Sequence, residues 1–398
     1  MTRIGNPGLD ALKPYPFERL REIVSAATSD PATRLNLSIG EPKFATPPFI
    51  IETLTRTLGQ LGQYPTTGGT DALRAACAGW LERRYGLAEG SVDPVQHVLP
   101  NLGSREALFA AINALFDRSD RERPLVAMPN PGYQIYEGAT LLAGGTPCYL
   151  NADPARGFVS TLEGLDADTL AQIQIAVICS PGNPTGATVT LEQWQSLLAL
   201  AHAHNFLLFA DECYSDIYTD AAPIGLLEAA RQTGYPDFAR CLSFFSLSKR
   251  SNAPGLRSGF IAGEARLMSV LRRYRTYHGS AMSLPVQDAS EAAWSDDAHV
   301  EANRARYRAN FAAAESALTR ISMEDCQRGA FYLWLPVPGD DVTFCRRLLD
   351  EQNVLVLPGS FMGRETAGGN PGAGFVRVAL VYDQPISFDA LNRINQLL

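Results

Sequence analysis

The chain has 398 residues, 46% of them hydrophobic, and a formal net charge of −8 at neutral pH. That length and apolar content suit two domains or one large α/β unit, and the acidic balance argues against a nucleic-acid-binding surface. No run of eighteen apolar residues offers a membrane span. The first sixteen residues carry charges and prolines where a secretory signal would have an apolar core, so a cytoplasmic location is expected.

Seven cysteines, Cys77, Cys148, Cys179, Cys213, Cys241, Cys326 and Cys345, show no CxxC spacing. Several lie in apolar runs and read as reduced thiols. His202 and His204 stand two apart and share no helix face, so no metal site is expected.

In chain order, a proline-rich N-terminal segment comes first. The spacing then predicts a helix over Asp71–Tyr85 with Thr70 as N-cap, and one over 104–116, where Ala107, Leu108, Ala111, Ile112 and Leu115 keep helical period. Apolar runs at 125–128, 175–179, 206–210, 242–245 and 259–262 read as strands. Strand-length runs alternating with helical segments imply an α/β fold, a mostly parallel sheet with crossover helices. A long charged helix is expected from 298 to about 319. After it come strand-like pieces at 330–335, 354–357 and 375–380 joined by helices, and a Gly/Pro-rich loop at 366–374. That change of pattern divides the chain into a large domain, 46–289, and a smaller α+β domain built from 1–45 and 290–398.

Lysine occurs only three times, as Lys13, Lys43 and Lys249. Arginine cannot form a Schiff base at neutral pH, whereas a desolvated lysine amine can, so Lys249 in the polar stretch after the 242–245 strand is a candidate covalent catalyst. The other strands lead into equally distinctive loops: Asn130, Pro131, Gly132 and Tyr133; Asn183, Pro184, Thr185 and Gly186; Asp211, Glu212, Cys213 and Tyr214. In an open parallel sheet the carboxyl ends of the strands share one edge, and ligands bind there.

These ingredients suit a phosphorylated pyridine aldehyde. Lys249 can hold the aldehyde, and Asp211 can keep the ring nitrogen protonated. Asn183 and Tyr214 can donate to the ring hydroxyl, and Tyr133 can stack on the ring. Gly103, Ser104 and Arg105 open a helix whose free N–H groups favour a phosphate, with Ser246 and Arg257 completing that site.

The same segments resemble class I/II aminotransferases, fold-type I enzymes that use pyridoxal 5'-phosphate. The likeness runs from Ser38, Gly40 and Pro42 to Arg377 and Leu380. It implies that Gly40 and Arg377 bind the substrate α-carboxylate. It also implies that Tyr64 reaches the phosphate of a neighbouring subunit, hence a homodimer with shared active sites acting on amino and oxo acids. Asn130–Pro131 and Asn183–Pro184 become candidate cis peptides. The opening segment, with Tyr15 and Phe17, and the segment 277–285, with His278, are similar to the bacterial succinyldiaminopimelate transaminase family. An aspartate, aromatic or alanine aminotransferase, or a cysteine-sulfur β-lyase, would share the cofactor residues.

Overall fold

Seven strands form the central sheet of the computed structural model, which describes residues 5–235, 237–279, 281–324 and 326–398. Ser280, inside the segment 277–285 singled out above, lies outside the described residues. The strands are β1 (Val98–Asn101), β2 (Leu125–Asn130), β3 (Thr146–Asn151), β4 (Ile173–Cys179), β5 (Leu207–Asp211), β6 (Cys241–Ser246) and β7 (Gly259–Gly263). Their order is β1-β7-β6-β5-β4-β2-β3. All run parallel except β7, which is antiparallel to both of its neighbours.

Sheet burial explains the apolar runs. Alternate residues supply two cores, with Ile178, Leu208 and Phe245 on one face and Val177, Phe209 and Phe244 on the other. A strand covered on both faces reads as a continuous hydrophobic run, as β4 and β6 do. β1 and β3 had no counterpart among the predicted strands. Both are edge strands containing proline, Pro100 and Pro147, and proline obscures a strand pattern because it cannot donate to a ladder.

Around the sheets run helices α1 (Pro16–Ala26), α2 (Asp71–Tyr85), α3 (Ser104–Leu115), α4 (Gln134–Ala143), α5 (Ala298–Ala317), α6 (Asp341–Gln352) and α7 (Gln384–Leu397). Thr70 caps α2 by accepting from the Leu73 amide, and Gly86 ends it in the left-handed region. Among the described residues no helix is long and apolar enough to cross a membrane.

A second sheet, antiparallel, orders β9 (Leu357–Pro358), β10 (Phe375–Ala379) and β8 (Tyr332–Pro336), with β10 in the middle. The predicted strand at 354–357 is divided. Val354 and Leu355 pair in parallel with Leu35 and Asn36, and after Val356 the chain changes partner to β10. Leu333, Leu335, Val376 and Val378 pack against Phe311 of α5, Phe344 and Leu348 of α6, and Leu391 and Ile394 of α7. The N-terminal segment joins this part of the molecule: Leu20 and Ile23 of α1 bury against Leu349, Leu355 and Leu357.

Candidate active site

The parallel strands place their following loops on one edge of the large sheet. Because β7 runs the other way, its start lies on that same edge and brings Arg257 with it. The β8–β10 sheet faces the edge and contributes Tyr332 and Arg377. Together they enclose a cavity of about 530 Å³ lined by Gly40, Ser104, Arg105, Tyr133, Asn183, Asp211, Tyr214, Ser246, Lys249, Arg257 and Arg377. Gly103 sits behind that wall. It has φ +91°, and a Cβ on it would come 2.8 Å from an Arg257 guanidinium nitrogen. Tyr64 stands apart from the cavity, fully exposed at 102%. Tyr15 and Phe17 line the mouth; His278 lies outside, its ring stacked on Tyr274 at 4.9 Å.

Lys249 and Asp211 are both drawn out of water, yet each is held by neutral groups. The Lys249 ammonium donates to the Gly40 carbonyl oxygen. Burial depresses the Lys249 pKa to about 8, and the nearby Arg377 and Arg257 charges act in the same direction. Asp211 accepts from the Tyr136 hydroxyl at 2.6 Å and the Cys213 amide at 3.3 Å. Its burial raises its pKa against the effect of those bonds. Arg250, next in sequence to Lys249, is itself buried and bonds Asp216 at 2.8 Å and Asp297 at 2.7 Å. The turn that carries Lys249 is thereby tied to the segment that follows Tyr214.

Arg377 donates to Asn183 Oδ1 at 2.7 Å and to the Ser38 carbonyl at 2.6 Å, while its buried Nε has no partner among the described residues. Ser104 is the first residue of α3, so the free amides of that helix face the cavity beside Ser246 and Arg257. Arg105 turns to the mouth, where Nε donates to the Tyr133 hydroxyl at 2.6 Å and a terminal nitrogen to the Tyr15 hydroxyl at 3.3 Å.

Two site residues escaped the sequence reading. Tyr136 stands one helical turn after Tyr133, a spacing that places both on one face and could have revealed it. Tyr332, on β8, hydrogen-bonds Tyr214 at 2.9 Å; nothing in the apolar run around it marks it as polar in function. Asn130–Pro131 and Asn183–Pro184 are cis, and so is Ser180–Pro181.

The arrangement fits a phosphorylated cationic ring. Asp211 is a buried carboxylate whose hydrogen-bond partners are neutral, which suits a protonated ring nitrogen. The α3 N-terminus with Arg257 suits a phosphate. Known proteins agree. The family model for aminotransferase class I and II matches residues 32–384, and the chain belongs to that family. Its cofactor is pyridoxal 5'-phosphate, and it is a transaminase. The LL-diaminopimelate aminotransferase of Desulforudis audaxviator is 30% identical over 97% of this chain and 96% of its own. An aminotransferase from Neisseria meningitidis is 44% identical, covering 99% of this chain and 100% of its own, with a TM-score of 0.93. A probable N-succinyldiaminopimelate aminotransferase from Thermus thermophilus is 26% identical, with a TM-score of 0.85 and coverage of 96% and 100%.

The depressed Lys249 pKa predicts how the apoprotein takes up pyridoxal phosphate. Only the neutral amine attacks an aldehyde, so the covalent step accelerates as pH rises and levels off above a midpoint near 8. Stopped-flow absorbance at a series of pH values measures it. A midpoint above 10, the range of an exposed lysine, would contradict the buried setting.

Proposed function

We propose that the chain exchanges an amino group between N-succinyl-L,L-2,6-diaminopimelate and 2-oxoglutarate. The carrying observation is Arg105, a cation on the cavity wall held by two neutral phenols. No carboxylate pairs with it among the described residues. Both substrates bear a carboxylate beyond the reacting carbon, and Arg105 is free to receive it. The relatives named for LL-diaminopimelate support the diaminopimelate class, and the Thermus thermophilus protein is the one named for the succinylated substrate.

Pyridoxal phosphate, when bound, supplies an aldehyde carbon and an electron-accepting ring. The backbone amides of Gly103 and Ser104 at the α3 N-terminus, with Ser246 and Arg257, would hold the phosphate, and Tyr133 would cover one ring face. Asp211 keeps the ring nitrogen protonated; Asn183 and Tyr214 donate to the ring hydroxyl. Arg377 turns its fork to the substrate α-carboxylate, with the Gly40 backbone beside it. That orients the Cα proton toward Lys249. The Lys249 amine would remove this proton and pass it to the former aldehyde carbon, and the return half-reaction would run the same transfer in reverse. The two half-reactions use one cavity in turn, which gives ping-pong kinetics.

A homodimer belongs to the same proposal. Tyr64 is fully exposed, and Ile51, Leu58 and Leu61 expose apolar surface on the same stretch of chain. In the dimer Tyr64 completes the partner's phosphate site. Light scattering should give a two-subunit mass, and Tyr64→Ala should weaken cofactor affinity about tenfold, the worth of one charge-assisted hydrogen bond. A monomeric mass with full activity would overturn the shared site.

Mixing the loaded protein with N-succinyl-L,L-diaminopimelate should bleach its visible absorption band, and 2-oxoglutarate should restore it. If glutamate bleaches the band and the succinylated substrate does not, transamination stands and the diaminopimelate reading falls. Lys249→Ala should keep the fold and lose turnover by at least about 100-fold.

Arg105→Gln separates a substrate role from a phosphate role. It should raise KM for glutamate and 2-oxoglutarate by about tenfold or more, the cost of a lost bond to a charged group, and leave pyruvate little changed. An equal loss for mono- and dicarboxylic acids, together with weaker cofactor binding, would return Arg105 to the phosphate.

A further inference from the structure

Tyr332 has no role in the chemistry described so far, yet it touches three of the groups that do. Its hydroxyl lies 2.9 Å from that of Tyr214. Its ring lies under the Arg377 guanidinium, 4.5 Å from the centroid. Gly40 makes room for it, because a Cβ at that position would fall 1.9 Å from the Tyr332 hydroxyl oxygen. The side chain is buried at 1% exposure and still borders the cavity. A buried phenol beside a ligand site is costly unless bonded. A Phe would fill the same volume and keep the contact with Arg377, so packing alone does not account for the hydroxyl.

We infer that Tyr332 is a positioning residue that acts through Tyr214, donating its hydroxyl proton to the Tyr214 oxygen so that the Tyr214 proton points at the cofactor's ring oxygen. This rests on the proposed role of Tyr214. A phenol offers one proton. If Tyr214 gives its own to the ring oxygen, the bond between the two phenols can be made only by the proton of Tyr332. Burial raises the pKa of both phenols, so both keep their protons at neutral pH. A donor that itself accepts a hydrogen bond becomes a stronger donor, so the Tyr332 bond strengthens the one that Tyr214 makes. Hydrogen bonding to an anionic oxygen lowers its proton affinity. Tyr332 therefore favours the deprotonated form of the bound cofactor at the pH where the enzyme works.

The test is the pH titration of the visible band in the loaded protein without substrate. Tyr332→Phe should move the midpoint upward by about 0.3–1 pH unit, a fraction of the shift that a direct hydrogen bond can cause. Tyr214→Phe should move it further, and the double variant no further than Tyr214→Phe alone. A midpoint unmoved in Tyr332→Phe but raised in Tyr214→Phe overturns the inference and leaves the Tyr214 role standing. Shifts that add in the double variant also overturn it, since Tyr332 would then act independently. A midpoint unmoved in Tyr214→Phe overturns the Tyr214 role and the inference with it.

Discussion

The site depends on keeping two buried opposite charges from neutralising each other. Lys249 and Asp211 border one cavity, and a direct ion pair between them would leave neither available to a ligand. The fold prevents this by giving each its own neutral partners, the Gly40 carbonyl for the amine and the Tyr136 hydroxyl and Cys213 amide for the carboxylate. Unpaired buried charge costs several kcal/mol per group in the free protein. A ligand that brought an amine-reactive carbon and a ring cation, as proposed here for Lys249 and Asp211, would relieve both costs together.

Topology supplies the rest. Six parallel strand ends share an edge by the ordinary logic of crossover connections, but Arg257, the cation proposed for the phosphate, comes from the segment that leads into the one reversed strand. β7 starts where its neighbours finish, so Arg257 approaches the α3 N-terminus from the opposite chain direction. The small sheet closes the same edge from the other side. Its central strand carries Arg377 and the adjacent strand carries Tyr332, antiparallel and in register at Arg377 and Trp334. One substrate carboxylate can therefore be gripped by a residue that is far from Lys249 in sequence and covalently remote from the large sheet.

Much of this was legible in the sequence because loop chemistry follows strand ends. Lysine scarcity isolated Lys249, and the apolar runs before Asn183, Asp211 and Ser246 located the edge. α2 was legible to the residue, with Thr70 marking its start; Gly86, which ends it, was there to be read as well. What stayed hidden had physical causes. The edge strands are short and interrupted by proline. The segment 354–358 looks like one strand but serves two partners in turn. The bonds of Arg105 to the Tyr133 and Tyr15 hydroxyls join residues far apart in sequence, so they could not be read from its place at a helix start. Tyr332 sits in a run of core residues, and its hydroxyl gains meaning only once Tyr214 is seen against it.

The prolines at the rims of the large sheet have a further consequence. β1 and β3 are the two strands whose outer backbone groups have no ladder partner in the sheet, and each carries a residue without an amide hydrogen, Pro100 and Pro147. A strand from another chain that tried to add to either rim would meet a missing donor within a few residues. Each missing donor disfavours the growth of either rim into a continuous intermolecular sheet. The rims of the large sheet are thereby guarded against the open-ended backbone pairing that builds fibrils.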